Sequence, residues 1–145
     1  MSKHVLVTGG CGFAGHHLIE HLLVNTDWEI TIIDSLTYAG RVDRLTDIGG
    51  YQPNRVHIMW HDLRSPMPPN TPSVDYVLHL AAESHVDRSI DKPVPFIHNN
   101  VMSTAKSTAT IIQGSVIQFG FNPSKILRSV PPETDAIAAI NAMPP

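Results

Sequence analysis

Val5–Gly15 reads VLVTGGCGFAG, a β-branched apolar run that breaks into glycines at Gly9, Gly10, Gly12 and Gly15. Gly9, Gly12 and Gly15 stand directly after an apolar strand pattern and directly before a helical one, the spacing that a strand-to-helix phosphate turn requires. One glycine permits the sharp turn, another lets the backbone approach a pyrophosphate, and the third lets the helix lie close on the sheet. The first helical N–H groups then face the anion. A glycine pattern alone has low specificity, because turns are rich in glycine. Its reading depends on what stands at fixed distances from it.

His4–Thr8 lacks the alternation of a half-exposed strand and reads as a central parallel strand buried on both faces. From Phe13 to about Asn25, the residues Phe13, Leu18, Leu22 and Leu23 fall at helical spacings, and Asn25-Thr26-Asp27 supplies the stop. Trp28–Ile33 (WEITII) is a second strand and ends on Asp34, 19 residues beyond Gly15. A dinucleotide fold places there the acid that hydrogen-bonds the adenosine ribose. Its carboxylate repels a 2′-phosphate, which favours NAD over NADP.

Ser35–Gly40 (SLTYAG) is a polar loop, and Arg41–Ile48 a short helical segment stopped by Gly49-Gly50. Arg55–Trp60 (RVHIMW) is a third strand, followed by His61-Asp62-Leu63, where a polar side chain at a strand's carboxyl end reaches an adenine. Ser65–Ser73, with four prolines, is an irregular loop. Val74–Ala82 (VDYVLHLAA) is a fourth strand whose small terminal residues leave room for a cofactor. Glu83–Lys92 (ESHVDRSIDK) is expected to be an active-site loop. Pro93 opens a helix with Phe96, Ile97, Val101, Ala105, Thr108 and Ile112 along one face. Lys125–Val130 (KILRSV) is the candidate fifth strand, and only Asp135–Ala142 in the tail has a helical pattern. The order β-α-β-α-β-loop-β predicts an α/β fold, a Rossmann-like parallel sheet of four to five strands with flanking helices. Residues 1–130 are expected to form this domain and residues 131–145 a divergent, poorly ordered Pro-rich tail.

Composition removes several classes of function. The chain has 145 residues, 42% hydrophobic and 16% charged, ordinary for a globular domain with a core. A net charge of -3 gives no basic footprint for nucleic acid. The single Cys11 excludes an internal disulfide framework and favours a reducing compartment. No apolar run approaches the ~20 residues of a membrane span, and Met1-Ser2-Lys3 leads into a strand rather than a signal peptide, so the cytoplasm is the expected location.

VTGGCGFAG, IDSLTYAG, HDL and HLAAESHVDRSI stand in an order and spacing that resembles the extended short-chain dehydrogenase/reductase family, and within it the dTDP-glucose 4,6-dehydratases. SLTYAG and AAESHVDRSI are much more specific than the glycine turn, because related sugar-nucleotide epimerases differ at both. The likeness covers roughly Lys3 to Thr104. It implies NAD as cofactor, held by Gly9, Gly12, Phe13, Ala14 and Gly15, by Asp34, Ser35, Leu36 and Thr37, by Asp62 and Leu63, and by Leu80, Ala81, Ala82, Glu83 and Ser84. Asn99, where the family usually has threonine, retains a hydrogen-bonding group for a ribose. Ala14 replaces an isoleucine and is expected to act through its backbone, and Ser103 replaces a glycine and is expected to crowd the helix that carries it. Ser84, His85 and Arg88 face the nicotinamide and a nucleotide-sugar diphosphate on the same resemblance.

The family's chemistry, as the resemblance implies it, is internal redox. A tyrosinate takes the sugar 4-hydroxyl proton while hydride leaves C4, water is lost across C5 and C6, and the hydride returns to C6. The tyrosine requires a lysine one helical turn on to lower its pKa. Four residues after Tyr38, Tyr51 and Tyr76 stand Val42, Arg55 and Leu80, so the pair is absent. No catalytic residue is therefore assigned, and Glu133-Thr134-Asp135 has the wrong order for the family's acids. Two origins remain open: the amino-terminal part of a larger enzyme, or a truncated relative whose last residues come from a changed reading frame. Function likewise stays between the NAD-binding portion of a dehydratase without turnover of its own, a non-catalytic interaction module that retains the sheet, and an epimerase fragment. A homodimer or a complementing chain is the candidate partner.

Some motifs compete with blander readings. His17-Leu18-Ile19-Glu20-His21 matches H-x-x-E-H, but this helix must pack behind the phosphate turn, so surface histidines are favoured over zinc and no metal is assigned. Cys11 sits where a helix N-terminus would stabilise a thiolate, yet a small turn residue is the better reading. Arg88 pairs either with phosphate or with Asp87 or Asp91. Met59, Trp60, Phe119 and Phe121 are core or interface candidates.

Overall fold

The computed structural model describes residues 2–110 and 115–118. The strands are β1 (His4–Thr8), β2 (Glu29–Asp34), β3 (Val56–Trp60), β4 (Tyr76–His79) and β5 (Ser115–Gln118), and the helices α1 (Phe13–Asn25), α2 (Asp43–Thr46), α3 (Val86–Asp91) and α4 (Pro93–Thr110). All five strands run parallel in the order β3-β2-β1-β4-β5. The chain winds outward from β1 through β2 to β3, then returns across β1 to place β4 on its other side. That reversal opens a crevice at the carboxyl ends of β1 and β4, where an open parallel sheet binds its ligands.

Val5, Leu6, Val7 and Thr8 have no exposed surface, as expected of a strand with neighbours on both edges and layers on both faces. Alternate side chains go to opposite layers. Val5 and Val7 join Ile30 and Ile32 against Ile19, Leu22 and Leu23 of α1. Leu6 joins Ile33, Val77, Leu63 and Val74 on the other face. Below the sheet, the Arg55 guanidinium donates to the carbonyls of Leu23, Thr26 and Trp28 and to Gln52 Oε1, tying the α1–β2 turn to the start of β3. Among the described residues no helix is long and apolar enough to cross a membrane.

The architecture, β1 and α1 agree with the expectations from sequence, and β2, β3 and β4 differ at their ends. The expected helix Arg41–Ile48 contracts to α2, and the expected strand Val74–Ala82 contracts to β4. Two larger departures concern the second half. Ser115–Gln118, not Lys125–Val130, supplies the strand beside β4; Lys125–Val130, the tail helix, Phe119 and Phe121 lie outside the described residues. Within the expected loop Glu83–Lys92, Val86–Asp91 is helical, although none of its residues is buried. Local bonds carry this short helix: Ser89 N–H donates to His85 O and Ser89 Oγ to Val86 O. With no buried face it has no apolar period to read.

Helix α4 also turns the other way round from its apolar pattern. Ile97 and Val101, which belong to the apolar face read from the sequence, are exposed, while Ser103 is buried and Asn100 and Thr104 are half-buried. Hydrogen bonds to β4 and to the segment after it hold the polar face inward. Met59 packs against the core cluster that contains Leu6 and Ile33, whereas Trp60 is exposed and its Nε1–H donates to Ser35 O.

Candidate cofactor site

At the carboxyl edge of the sheet lies a cavity of about 330 Å³. Its floor is the glycine turn. Gly9 has φ +72°, and a Cβ there would stand 2.8 Å from the Ala81 backbone nitrogen, so only glycine lets β1 leave the sheet beside the segment after β4. A Cβ on Gly15 would collide with the Gly9 carbonyl oxygen, so α1 can sit on the turn only without one. Helix α1 starts from Gly12 with no side-chain cap and no acidic residue in its first turn. Its first N–H groups are free to meet an anion.

Asp34 closes the turn from the β2 side. It is buried, its Oδ2 accepts the Cys11 N–H at 3.0 Å, and its Oδ1 accepts the Leu36 N–H at 2.8 Å. The second bond holds Leu36 at φ +50°, a left-handed conformation that sends Ser35–Thr37 around the cavity rim. A Cβ on Gly40 would lie 2.8 Å from Asp34 Oδ1, so the absence of a side chain there leaves the carboxylate uncovered. Each carboxylate oxygen retains a lone pair after its backbone bond, enough to accept from a vicinal diol.

The next wall is His61–Arg64. His61 N–H donates to Asp34 O, carrying the β2–β3 ladder one residue past the strand. Arg64 donates to Asp62 through Nε (2.9 Å) and Nη2 (2.5 Å), which holds the Asp62 carboxyl below the usual carboxylate range. Arg64 Nη1 also donates to Asn99 Oδ1 at 3.3 Å, and Asn99 Nδ2 to Glu83 Oε1 at 2.7 Å. Asn100 grips the backbone of Glu83 on both sides, accepting its N–H at 2.7 Å and donating to its carbonyl at 3.0 Å. This fixes Leu80–Glu83 along the cavity.

A buried histidine anchors the same segment. Thr8 Oγ1 accepts the Ala81 N–H at 3.2 Å and gives its own proton to His79 Nδ1 at 2.7 Å. Thr104 Oγ1 donates to Asn100 O at 2.9 Å and accepts from His79 Nε2 at 3.1 Å. The chain of donors is satisfied in one direction with a neutral imidazole protonated at Nε2. Burial pushes the His79 pKa down to about 4, in keeping with that state.

The cavity gathers Gly9, Gly12, Asp34, Ser35, Thr37, Asp62, Leu63, Leu80, Ala81, Ala82, Glu83, Asn99 and Arg88 from the residues singled out in the sequence. Phe13, Ala14, Gly15, Leu36, Ser84 and His85 do not line it. Gly15 acts one layer behind, under the turn, Leu36 packs against the core, and Phe13 stands on the helix surface with its ring edge-on to those of His16 and His17. Ser103 is accommodated, its hydroxyl donating to Asn100 O. Arg88 pairs with neither Asp87 nor Asp91; its guanidinium lies over the Tyr38 ring, 5.1 Å from the centroid. The Cys11 thiol is fully buried and pushed up to about 12, first by burial and then by Asp34, so it is a turn residue and not a thiolate. The H-x-x-E-H histidines lie along α1, and no group of three metal-binding side chains occurs among the described residues. Sequence reasoning passed over Tyr38, Gly40, Arg64 and Asn100. SLTYAG marked the first two as a block, but Arg64 and Asn100 act through partners distant in sequence and carry no local signal.

The GDP-mannose 4,6 dehydratase family matches residues 6–113. The chain is 42% identical over 106 residues to the dTDP-glucose 4,6-dehydratase of Neisseria gonorrhoeae, covering 70% of this chain and 30% of that protein. It is 40% identical over 104 residues to the dTDP-glucose 4,6-dehydratase of Salmonella typhimurium, covering 69% and 28%. The solved dTDP-glucose 4,6-dehydratase of Streptomyces venezuelae, with NAD bound, superposes with a TM-score of 0.63 at 34% identity, covering 78% of this chain and 38% of that one. The chain thus spans under two fifths of the length of each of these relatives.

Proposed function

Because this chain belongs to the GDP-mannose 4,6 dehydratase family, we propose that it is the NAD-binding portion of a nucleotide-sugar dehydratase acting on dTDP-glucose. The observation that carries this reading is the buried Asp34 carboxylate, uncovered by Gly40 and facing the cavity that the glycine turn floors. The site suits NAD at three points: open N–H groups at α1 for the pyrophosphate, Asp34 for the adenosine ribose diol, and Asp62 with Leu63 for the adenine. A 2′-phosphate would meet the Asp34 charge, which disfavours NADP.

NAD, when bound, supplies reversible hydride acceptance for oxidation of a sugar hydroxyl. This chain's part is positioning. Asn100 and Thr8 fix Leu80–Glu83 beside the cavity, and Arg88, which lines it, is suited to a substrate diphosphate. Proton removal from the sugar is not within its means, since the sequence has no tyrosine followed four residues later by lysine. Turnover needs groups beyond these 145 residues. An apolar stripe on α4, Val94, Ile97 and Val101, is 58–74% exposed and supports a second copy or a complementing chain as partner.

Thermal unfolding with and without cofactor tests the reading. Ligand at 100 times its Kd stabilises by about 2.7 kcal/mol, so millimolar NAD should raise the Tm and NADP should raise it much less. Asp34→Ala should abolish the NAD shift. No shift with NAD in the wild-type chain refutes the proposal.

A further inference from the structure

Two side chains meet from opposite sides of β1. Tyr38 belongs to the loop that leaves the carboxyl end of β2, and Arg88 to α3, which follows the carboxyl end of β4. The Arg88 guanidinium lies 5.1 Å from the Tyr38 ring centroid, and the His85 ring stands edge-on to the same ring at 6.3 Å. Because β2 and β4 flank β1 in the sheet, a contact between the segments that leave them crosses the mouth of the cavity that both residues line. The two ends of this bridge are held very differently. Tyr38 stands on a braced loop: Leu36 N–H donates to Asp34 Oδ1, Gly40 N–H to Thr37 O at 3.0 Å, Arg41 N–H to Cys11 O at 3.0 Å, and Arg44 Nη1 to Ala39 O at 2.6 Å. Arg88 stands on a loosely held arm. Asn100 fixes Glu83 at its start, and from Ser84 to Asp91 no residue is buried, so displacing α3 breaks no apolar core contact and costs little.

We infer that Tyr38 and Arg88 form a strap across the cavity mouth that parts to admit or release the dinucleotide and re-forms behind it. The SLTYAG loop is the fixed post and Ser84–Asp91 the moving arm, pivoting between the anchored Glu83 and Lys92, where the helical path breaks (φ -136°, ψ 69°) between α3 and α4. A guanidinium is drawn to a tyrosine face by the ring quadrupole, an attraction weak enough to be broken at every binding event. The strap therefore governs how fast the cofactor exchanges rather than how tightly it is held. The inference rests on the reading of the cavity as a cofactor site.

Stopped-flow binding of NADH to the full chain, followed by its nicotinamide fluorescence, and its displacement by excess NAD test it. An exposed cation–π pair is worth about 0.5–1 kcal/mol, a factor of roughly two to five. Tyr38→Leu and Arg88→Met should each raise the association and displacement rates together by about that factor and leave Kd nearly unchanged, because a strap that forms with and without dinucleotide bars entry and exit alike. Tyr38→Phe keeps a ring face and should keep the wild-type rates, and the double variant should be no faster than either single one. A merely structural role would move the urea midpoint and not the two rates. Unchanged rates in both single variants overturn the inference, as does faster displacement with a correspondingly weaker Kd, which would make the pair a ligand contact. Failure of the wild-type chain to bind NADH overturns the cofactor reading and this inference with it.

Discussion

Acid should loosen this fold through His79. In the native state the imidazole is neutral, enclosed between Thr8 and Thr104, with a pKa lowered from 6.5 to about 4 by burial. The unfolded chain takes up a proton near pH 6.5 that the folded chain refuses until near pH 4, so folding is penalised progressively as pH falls through that window. Above pH 6.5 the neutral strut costs nothing in proton linkage. The full displacement corresponds to about 3 kcal/mol, accumulating at about 1.4 kcal/mol per pH unit, so roughly 2 kcal/mol is lost by pH 5. The assay is urea unfolding at pH 7, 6 and 5 of the wild type and of His79→Gln, which cannot titrate and retains a donor toward Thr104. Subtracting the two removes every other titrating group. The wild-type advantage should shrink by roughly 2 kcal/mol between pH 7 and pH 5. A difference that stays flat across that range would show that His79 is protonated in the fold or free to leave its pocket, and would refute the strut.

Gly9→Ala combines a left-handed φ with a contact to the Ala81 backbone; it should cost about 2 kcal/mol or more in chemical denaturation and eliminate the NAD-induced Tm shift, and a stability equal to wild type would contradict the turn geometry. Cys11, fully buried with its thiol raised to about 12, should resist a disulfide reagent in native buffer at pH 8 and react only at the rate of unfolding. Labelling at the speed of a free cysteine peptide would show the turn to be open.

The sequence by itself determined the parallel sheet, the position of the glycine turn and the acid at the end of β2. Each depends on local chemistry: unbroken apolar runs for doubly covered strands, glycines where no Cβ fits, and a carboxylate at a set distance along the chain. Val5–Gly15 and Asp34 are legible because strand, turn and helix follow one another without interruption. Beyond Ala82 the local signals weaken. Val86–Asp91 forms a helix with no buried face, and α4 turns Asn100, Ser103 and Thr104 inward while Ile97 and Val101 stay exposed. Apolar periodicity points the other way there. The tertiary structure decides the matter because Glu83's backbone and His79's buried ring present polar groups that only those helix side chains can satisfy, and an unpaired buried polar group costs as much as a lost apolar contact. For the same reason Arg64 became visible only in three dimensions, because its partners Asp62 and Asn99 stand 37 residues apart in the chain and meet only when the sheet and α4 pack together.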